Sequence, residues 1–264
     1  MDLELKDKVV LVAASSKGLG LGIARQAALE GAVVSMGSRN QETLAAAAES
    51  IQNEVAGARL ITYPLDVAEL SSIKLWVKNT LAELGTVDAL VVNGGGPPPG
   101  TFDEIDDASW LAGYENTLMS AVRLIREVLP EMRRKKYGSI LTITSSSIKE
   151  PIDNLLLSNV YRSGVTSLVK SLSFQEAKHG IRINNLVPGF FETDRLRELD
   201  ERNSGEWNMD LDQVRKINFN KIPMGRYGDP DEFGKAALFL LSGAASYVTG
   251  ETFIIDGGKM RTVW

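Results

Sequence analysis

"KVVLVAASSKGLGLG" (residues 8–22) sets an unbroken apolar, largely β-branched run against a glycine-rich turn, and the helical stretch "LGLGIARQAALE" grows out of that turn. An unbroken run suits a strand buried on both faces, as in a parallel sheet; a half-buried strand would alternate. A glycine-rich turn between a first strand and a helix lets the backbone approach a pyrophosphate, which then rests on the free N–H groups of the helix start. Gly18, Gly20 and Gly22 would also serve plain helix–sheet packing, but their place directly after the first strand favours the phosphate reading.

Outward from this unit the pattern repeats. "AVVSMGS" (32–38), "RLITYPL" (59–65), "DALVVNG" (88–94), "SILTIT" (139–144), "RINNLV" (182–187) and "TFIIDG" (252–257) read as further strands. Helical stretches such as "QETLAAAAESIQNEV", "SSIKLWVKNTLAEL", "SAVRLIREVLPEMRRKK" and "DEFGKAALFLLSG" lie between them. This alternation predicts βαβ units with right-handed crossovers in one α/β domain spanning 1–264. Two interruptions, "GGGPPPGT" (94–101) and the mixed-charge stretch 190–229, follow strands. Ligands of open α/β sheets bind there, so the two predict a binding crevice with 190–229 as its lid.

Composition narrows the chemistry. At 44% hydrophobic, the 264 residues can bury a sizeable core. A net charge of −5 argues against nucleic acid or an anionic membrane as the main partner and suits simple solubility. With no cysteine there is no disulfide framework, thiolate metal site or cysteine nucleophile, and no metal is expected. The single histidine, His179 in "EAKHGIR", reads as a helix end before Gly180, which leaves Ser-His-Asp chemistry without a base. The charged opening "MDLELKDK" runs into a strand and lacks the pattern of a secretion signal, and no apolar run is long enough to span a bilayer. The cytoplasm is the expected location.

The second strand ends in "GSRN", about 20 residues beyond the glycine turn, where a ribose-reading residue belongs. An acid there would bind the 2′-hydroxyl of NAD. The residue is Arg39, preceded by Ser38, and Lys17 lies inside the turn. Two cations and no carboxylate predict a 2′-phosphate, hence NADP.

Taken in order, "SSKGLG", Asp66-Val67, "NGGG" (93–96), an isolated Asn116, "ITSSS" (143–147), "PGFFET" (188–193) and "VTGETFIIDGG" (248–258) resemble the short-chain dehydrogenase/reductase family over nearly the whole chain. The resemblance implies a doubly wound, seven-stranded parallel sheet of Rossmann type, a nicotinamide cofactor and a homo-oligomer. The 3-oxoacyl carrier-protein reductases and sugar or polyol dehydrogenases are the nearest look-alikes. It places Gly18, Leu19 and Gly20 along the pyrophosphate, with Ser16 in the same turn and Ala14 where a first glycine is usual. Asp66 and Val67 would contact the adenine. Asn93 and Gly94 would run beside the adenosine ribose, with Gly95 completing "NGG" in place of "NAG". Pro188, Gly189 and Thr193 would bracket the nicotinamide. Asn116 matches the asparagine that holds a proton-relay water, and Ser145 the serine that holds the substrate carbonyl.

The family's tyrosine and lysine, spaced Tyr-x-x-x-Lys, are missing. The usual serine-to-tyrosine spacing from Ser145 lands on Ser158, and "LVKSL" (168–172), counted back, gives the same register. Ser158 therefore fills the tyrosine slot and Arg162 the lysine slot. Tyr161 fits neither, since Val165 stands four residues after it. A tyrosine of pKa about 10 becomes a usable acid when a cation lowers it. Serine cannot play that part alone, and arginine keeps its proton. Tyr161 lies about 4.5 Å along the helix axis from Ser158 and could swing toward the substrate or simply pack. The proton would come from it or from a held water.

The resemblance thus implies NADP-dependent hydride transfer with a carbonyl or alcohol substrate and non-standard proton delivery. The other reading is a nucleotide-binding sensor or partner subunit without turnover. Phe190, Phe191 and Trp207 suit an apolar substrate portion, Arg195, Arg197 and Arg202 an anionic one or a solvated helix face. The apolar "AALFLLSGAASYVTG" (236–250) and the final strand resemble the family's pairing surface and predict a dimer or tetramer. "KMRTVW" is expected against a neighbouring subunit.

Overall fold

The chain was analysed as a computed structural model that describes residues 2–263. Strand and helix alternate as β1 (Val9–Ala13), α1 (Gly18–Leu29), β2 (Val33–Ser38), α2 (Gln41–Glu54), β3 (Arg59–Pro64), α3 (Leu70–Leu84) and β4 (Ala89–Val92). Next come α4 (Asp107–Gly113), a π-helical turn at Tyr114–Met119, α5 (Ser120–Lys135), β5 (Gly138–Ile143), α6 (Leu156–Glu176) and β6 (Ile181–Pro188). The chain closes with α7 (Asp194–Trp207), α8 (Leu211–Asn220), α9 (Pro230–Leu241) and β7 (Thr252–Ile255). The strands form one parallel sheet in the order β3-β2-β1-β4-β5-β6-β7. Strand order reverses between β1 and β4, which opens a crevice at their carboxyl ends.

The unbroken runs do what their composition requires. Along β1, Val10 and Val12 enter one core with α1, α2 and α9, while Val9, Leu11 and Ala13 enter the other with α3, α5 and α6. Both faces of the sheet are therefore covered. The edge strands differ: β3 and β7 are only partly buried, because each has a neighbour on one side alone. Gly22 is a packing glycine. A Cβ on it would sit 2.5 Å from the Pro230 carbonyl oxygen, and one on Gly234 would sit 2.7 Å from the Gly22 oxygen, so α1 and α9 cross backbone to backbone.

The segment 190–229 folds as a unit above the sheet. Thr193 and Asp210 cap α7 and α8. Leu196, Ile222 and Tyr227 form a small core with Phe190, Leu199 and Phe219. Inside it, the Tyr227 hydroxyl donates to buried Asp200 at 3.0 Å, and Asn218 Nδ2 donates to the same carboxylate at 3.0 Å. Its two ends lie side by side, the Glu192 N–H on the Gly228 oxygen and the Gly228 N–H on the Phe190 oxygen, both 2.9 Å. Phe191 is spent on the main core, edge-on to Phe233 at 5.1 Å, so its ring is not available to a substrate. Among the described residues no helix is long and apolar enough to cross a membrane. The closing "KMRTVW" ends at Trp264, which lies outside the described residues.

Candidate active site

The turn from β1 into α1 is shaped as a cradle. Ala14 adopts φ 50° and Gly18 φ 58°, left-handed backbone that turns the chain sharply. A Cβ on Gly20 would lie 2.3 Å from the Ala14 oxygen and 2.8 Å from Asn93 Nδ2, so only glycine lets the helix start this close. Asn93 Nδ2 donates to the Ala14 oxygen at 3.2 Å and joins the ends of β1 and β4 across the crevice. Ser16 and Ser38 share a hydroxyl–hydroxyl bond of 2.9 Å, which ties the turn to the end of β2. Lys17 and Arg39 are exposed beside that pair. The start of α1 has no capping side chain and no acid in its first turn, so its first N–H groups are left for an anion. A pyrophosphate with a nearby 2′-phosphate fits these residues.

The adjoining loops complete this seat. Asp66 is held by its own turn, its Oδ1 accepting the Ala68 N–H at 3.0 Å, and Val67 lies against Gly94. Leu19 packs on the core. Nothing lies within 4 Å of where a Cβ on Gly95 would be, so the loop after β4 leaves open space there. Pro188 ends β6, and Gly189 donates to the Ile255 oxygen at 2.7 Å. Thr193 reaches across to Gly18, with its methyl 3.5 Å from where a Cβ would be.

At the carboxyl ends of β4 and β5 lies a small cleft lined by Asn93, Gly94, Gly95, Asn116, Thr117 and Arg162, among others. Arg162 is 9% exposed, and its Nη1 donates to the carbonyls of Ile143 and Thr144 at 2.9 and 3.2 Å. Burial, and then the positive charge of Arg195, push its guanidinium down to about 10. It is still cationic at neutral pH. Asn116 sits in the π-helical turn and is exposed; its Nδ2 donates to the Ala112 oxygen at 2.9 Å, and its carbonyl accepts the Ser120 hydroxyl at 2.8 Å. Thr117 Oγ1 is buried in the same wall without a hydrogen-bond partner among the described residues.

Ser145 and Ser158 are not among the residues that line this cleft. They are joined beside it through Ser147, whose N–H donates to Ser145 Oγ at 3.2 Å and whose hydroxyl lies 3.5 Å from Ser158 Oγ. Ser147 was missed in the sequence; its only signal was the serine triplet of "ITSSS". Ser158 and Arg162 are four residues apart on α6 and share a face, whereas Tyr161 lies about 100° round the helix from Arg162. Tyr161 is turned toward α4. Its hydroxyl donates to the Trp110 oxygen at 2.9 Å, and its ring meets Trp110 edge-on at 5.7 Å and Tyr114 at 6.2 Å. Burial, then Tyr114, raises its pKa. Its hydroxyl is committed to this contact, and Tyr161 is not among the residues that line the cleft.

The sequence pattern of a family described as enoyl-(acyl carrier protein) reductase matches residues 13–259. The 3-oxoacyl-(acyl-carrier-protein) reductase FabG of Chlamydia trachomatis is 30% identical over 254 residues, 96% of this chain and 98% of that one. L-sorbose reductase from Gluconobacter frateurii, solved with NADPH and L-sorbose, superimposes with a TM-score of 0.95 at 29% identity, covering 100% of both chains. An NADPH-bound short chain oxidoreductase from Pseudomonas aeruginosa PAO1, described as containing an atypical catalytic center, superimposes with a TM-score of 0.88 at 29% identity over 98% of this chain and 100% of that one.

Proposed function

Because the chain belongs to the short-chain dehydrogenase/reductase family and is one of its oxidoreductases, we propose that it reduces a carbonyl compound with NADPH, using Arg162 as the fixed charge of the reaction centre and water as the proton source. The observation that carries the reading is Arg162 itself: a buried guanidinium, held by two carbonyls at the end of β5, in the wall of a cleft it shares with Asn116 and the loop after β4.

When bound, NADPH supplies the hydride and leaves as NADP+, while a proton from water completes the alcohol. The turn at Ser16–Gly20, the Ser16–Ser38 pair, Lys17 and Arg39 hold the dinucleotide and its 2′-phosphate. NADPH in the solved relatives supports that choice over NADH. Arg162 stabilises negative charge developing on the carbonyl oxygen, in a site where burial makes a fixed cation count for more than in water. The hydroxyls of Ser147 and Ser158, with Ser145 tied to the Ser147 N–H, offer polar groups that orient the oxygen or the water. Asn116 and Thr117 offer further polar contacts at the cleft wall. With the Tyr161 hydroxyl committed to Trp110, water held among these groups is the favoured donor.

The test is the pair Ser158→Tyr with Arg162→Lys, assayed with NADPH against a panel of ketones and 3-oxoacyl thioesters. A repurposed reductase gains activity in the double variant, because one positioned acid contributes about 10²–10⁴-fold. Native turnover abolished by Tyr161→Phe would make Tyr161 the acid. NADPH binding without turnover in either protein would leave a sensor or partner subunit.

A further inference from the structure

The segment 190–229 brings a second cation to the loop after β4, next to the cleft of Arg162. Arg195 lies in the first turn of α7, two residues after the capping Thr193. The end of its guanidinium points at Gly96: a Cβ there would be 2.5 Å from Nη2 and 2.6 Å from Nη1, so glycine is what admits the contact. Gly94 and Gly95, of the same loop, line the cleft that holds Arg162. The Arg195 charge also reaches Arg162, where it adds to the effect of burial. Thr193 faces the other way, onto Gly18 in the pyrophosphate turn. The start of α7 therefore sets Thr193 against the turn after β1 and Arg195 against the loop after β4.

Among the described residues, no carboxylate pairs with either arginine. The chain has an excess of acids, and Arg25, Arg123, Arg133, Arg215 and Arg226 each pair with one. Two unpaired cations near enough to feel each other's charge repel, and a bound anion removes that repulsion. We infer that Arg195 is a specificity-determining residue that receives a carboxylate, so that the substrate is an oxo acid whose carbonyl lies toward Arg162. A guanidinium suits this task because its planar fork matches a carboxylate bidentately. The inference rests on the reductase reading above and adds the substrate class.

Pyruvate, acetoacetate and levulinate, each beside its methyl ester, carry the same ketone with and without the charge. Titration calorimetry on the NADP+-loaded native protein should show at least one acid bound tenfold or more tightly than its ester, about 1.4 kcal/mol. Arg195→Met should erase that preference while leaving ester affinity and NADPH affinity unchanged, and Arg195→Lys should restore part of it. Equal binding of acid and ester by the native protein overturns the inference. So does an Arg195→Met variant that keeps the acid preference but loses NADPH affinity, which would assign Arg195 to the cofactor's phosphates. Selective acid binding without NADPH oxidation by any acid or ester would sink the reductase reading and leave the carboxylate site standing. NADPH oxidation with esters and acids alike would do the reverse.

Discussion

Replacing Arg162 by methionine separates what the residue does for the fold from what it does for the reaction. The charged guanidinium sits in the fold at a cost: its displacement down to about 10 is worth about 3 kcal/mol against the charged form. Methionine removes that cost and fills similar space. Against it, the carbonyls of Ile143 and Thr144 lose their donor, at about 1–3 kcal/mol each. The sum runs from about 1 kcal/mol of stabilisation to about 3 kcal/mol of destabilisation, so the variant should fold. Turnover should suffer far more, because removing one donor to a developing oxyanion costs about 10²–10³-fold. Urea denaturation gives the first quantity, and loss of NADPH absorbance with the ketone panel gives the second. NADPH fluorescence titration checks that the dinucleotide seat is intact. A variant that binds NADPH and reduces the same ketones at the native rate would refute the assignment of Arg162 as the charge of the reaction.

Four further outcomes are expected. NADPH should bind at least tenfold more tightly than NADH, about 1.4 kcal/mol, and Arg39→Asp should reverse the order in a fluorescence titration. Gly20→Ala should weaken NADPH at least tenfold in the same titration, since its Cβ would sit 2.3 Å from the Ala14 oxygen, a backbone atom that cannot step aside; unchanged affinity would refute the cradle. The reduction rate should hold through neutral pH and fall as pH rises through about 10, where Arg162 passes from cationic to neutral; a pH–rate profile that keeps rising there would separate the reaction from this group. Light scattering should give a dimer or tetramer, because Phe174, Tyr247 and Phe253 are exposed around the open edge of β7; a monomer at micromolar concentration would count against it.

What could be read from the sequence was what local backbone physics decides. The apolar runs marked all seven strands, and the glycine turn marked the cradle, because both depend on neighbours in the chain. Sheet position was harder: "RLITYPL" and "TFIIDG" read like central strands, yet they form the edges, and nothing within either run encodes its neighbours. The pairing of Ser158 with Arg162 on one face follows from helical spacing alone. The direction of Tyr161 was left open because it depends on Trp110 and Tyr114, which arrive from a separate helix and turn. Ser147 was hidden for the same reason, and Arg195 stood out only together with Arg197 and Arg202 as a candidate for an anionic substrate portion. Finding Ser147 needs α6 beside the turn after β5, and singling out Arg195 needs α7 set against Gly96. The π-helical turn around Asn116 carried no proline or glycine to announce it.

The small core of segment 190–229 and its paired ends have an evolutionary consequence. Residues 190–192 and 228 are hydrogen-bonded side by side, and the buried clasp of Asp200, Asn218 and Tyr227 is made wholly within the segment between them. Closing such an insert is insensitive to its length, since each doubling costs only about 0.6 kcal/mol. On the proposal that Arg195 selects the substrate, the segment would act as an exchangeable cassette, its side chains rewritten for another substrate while the sheet, the glycine cradle and the buried Arg162 stay untouched.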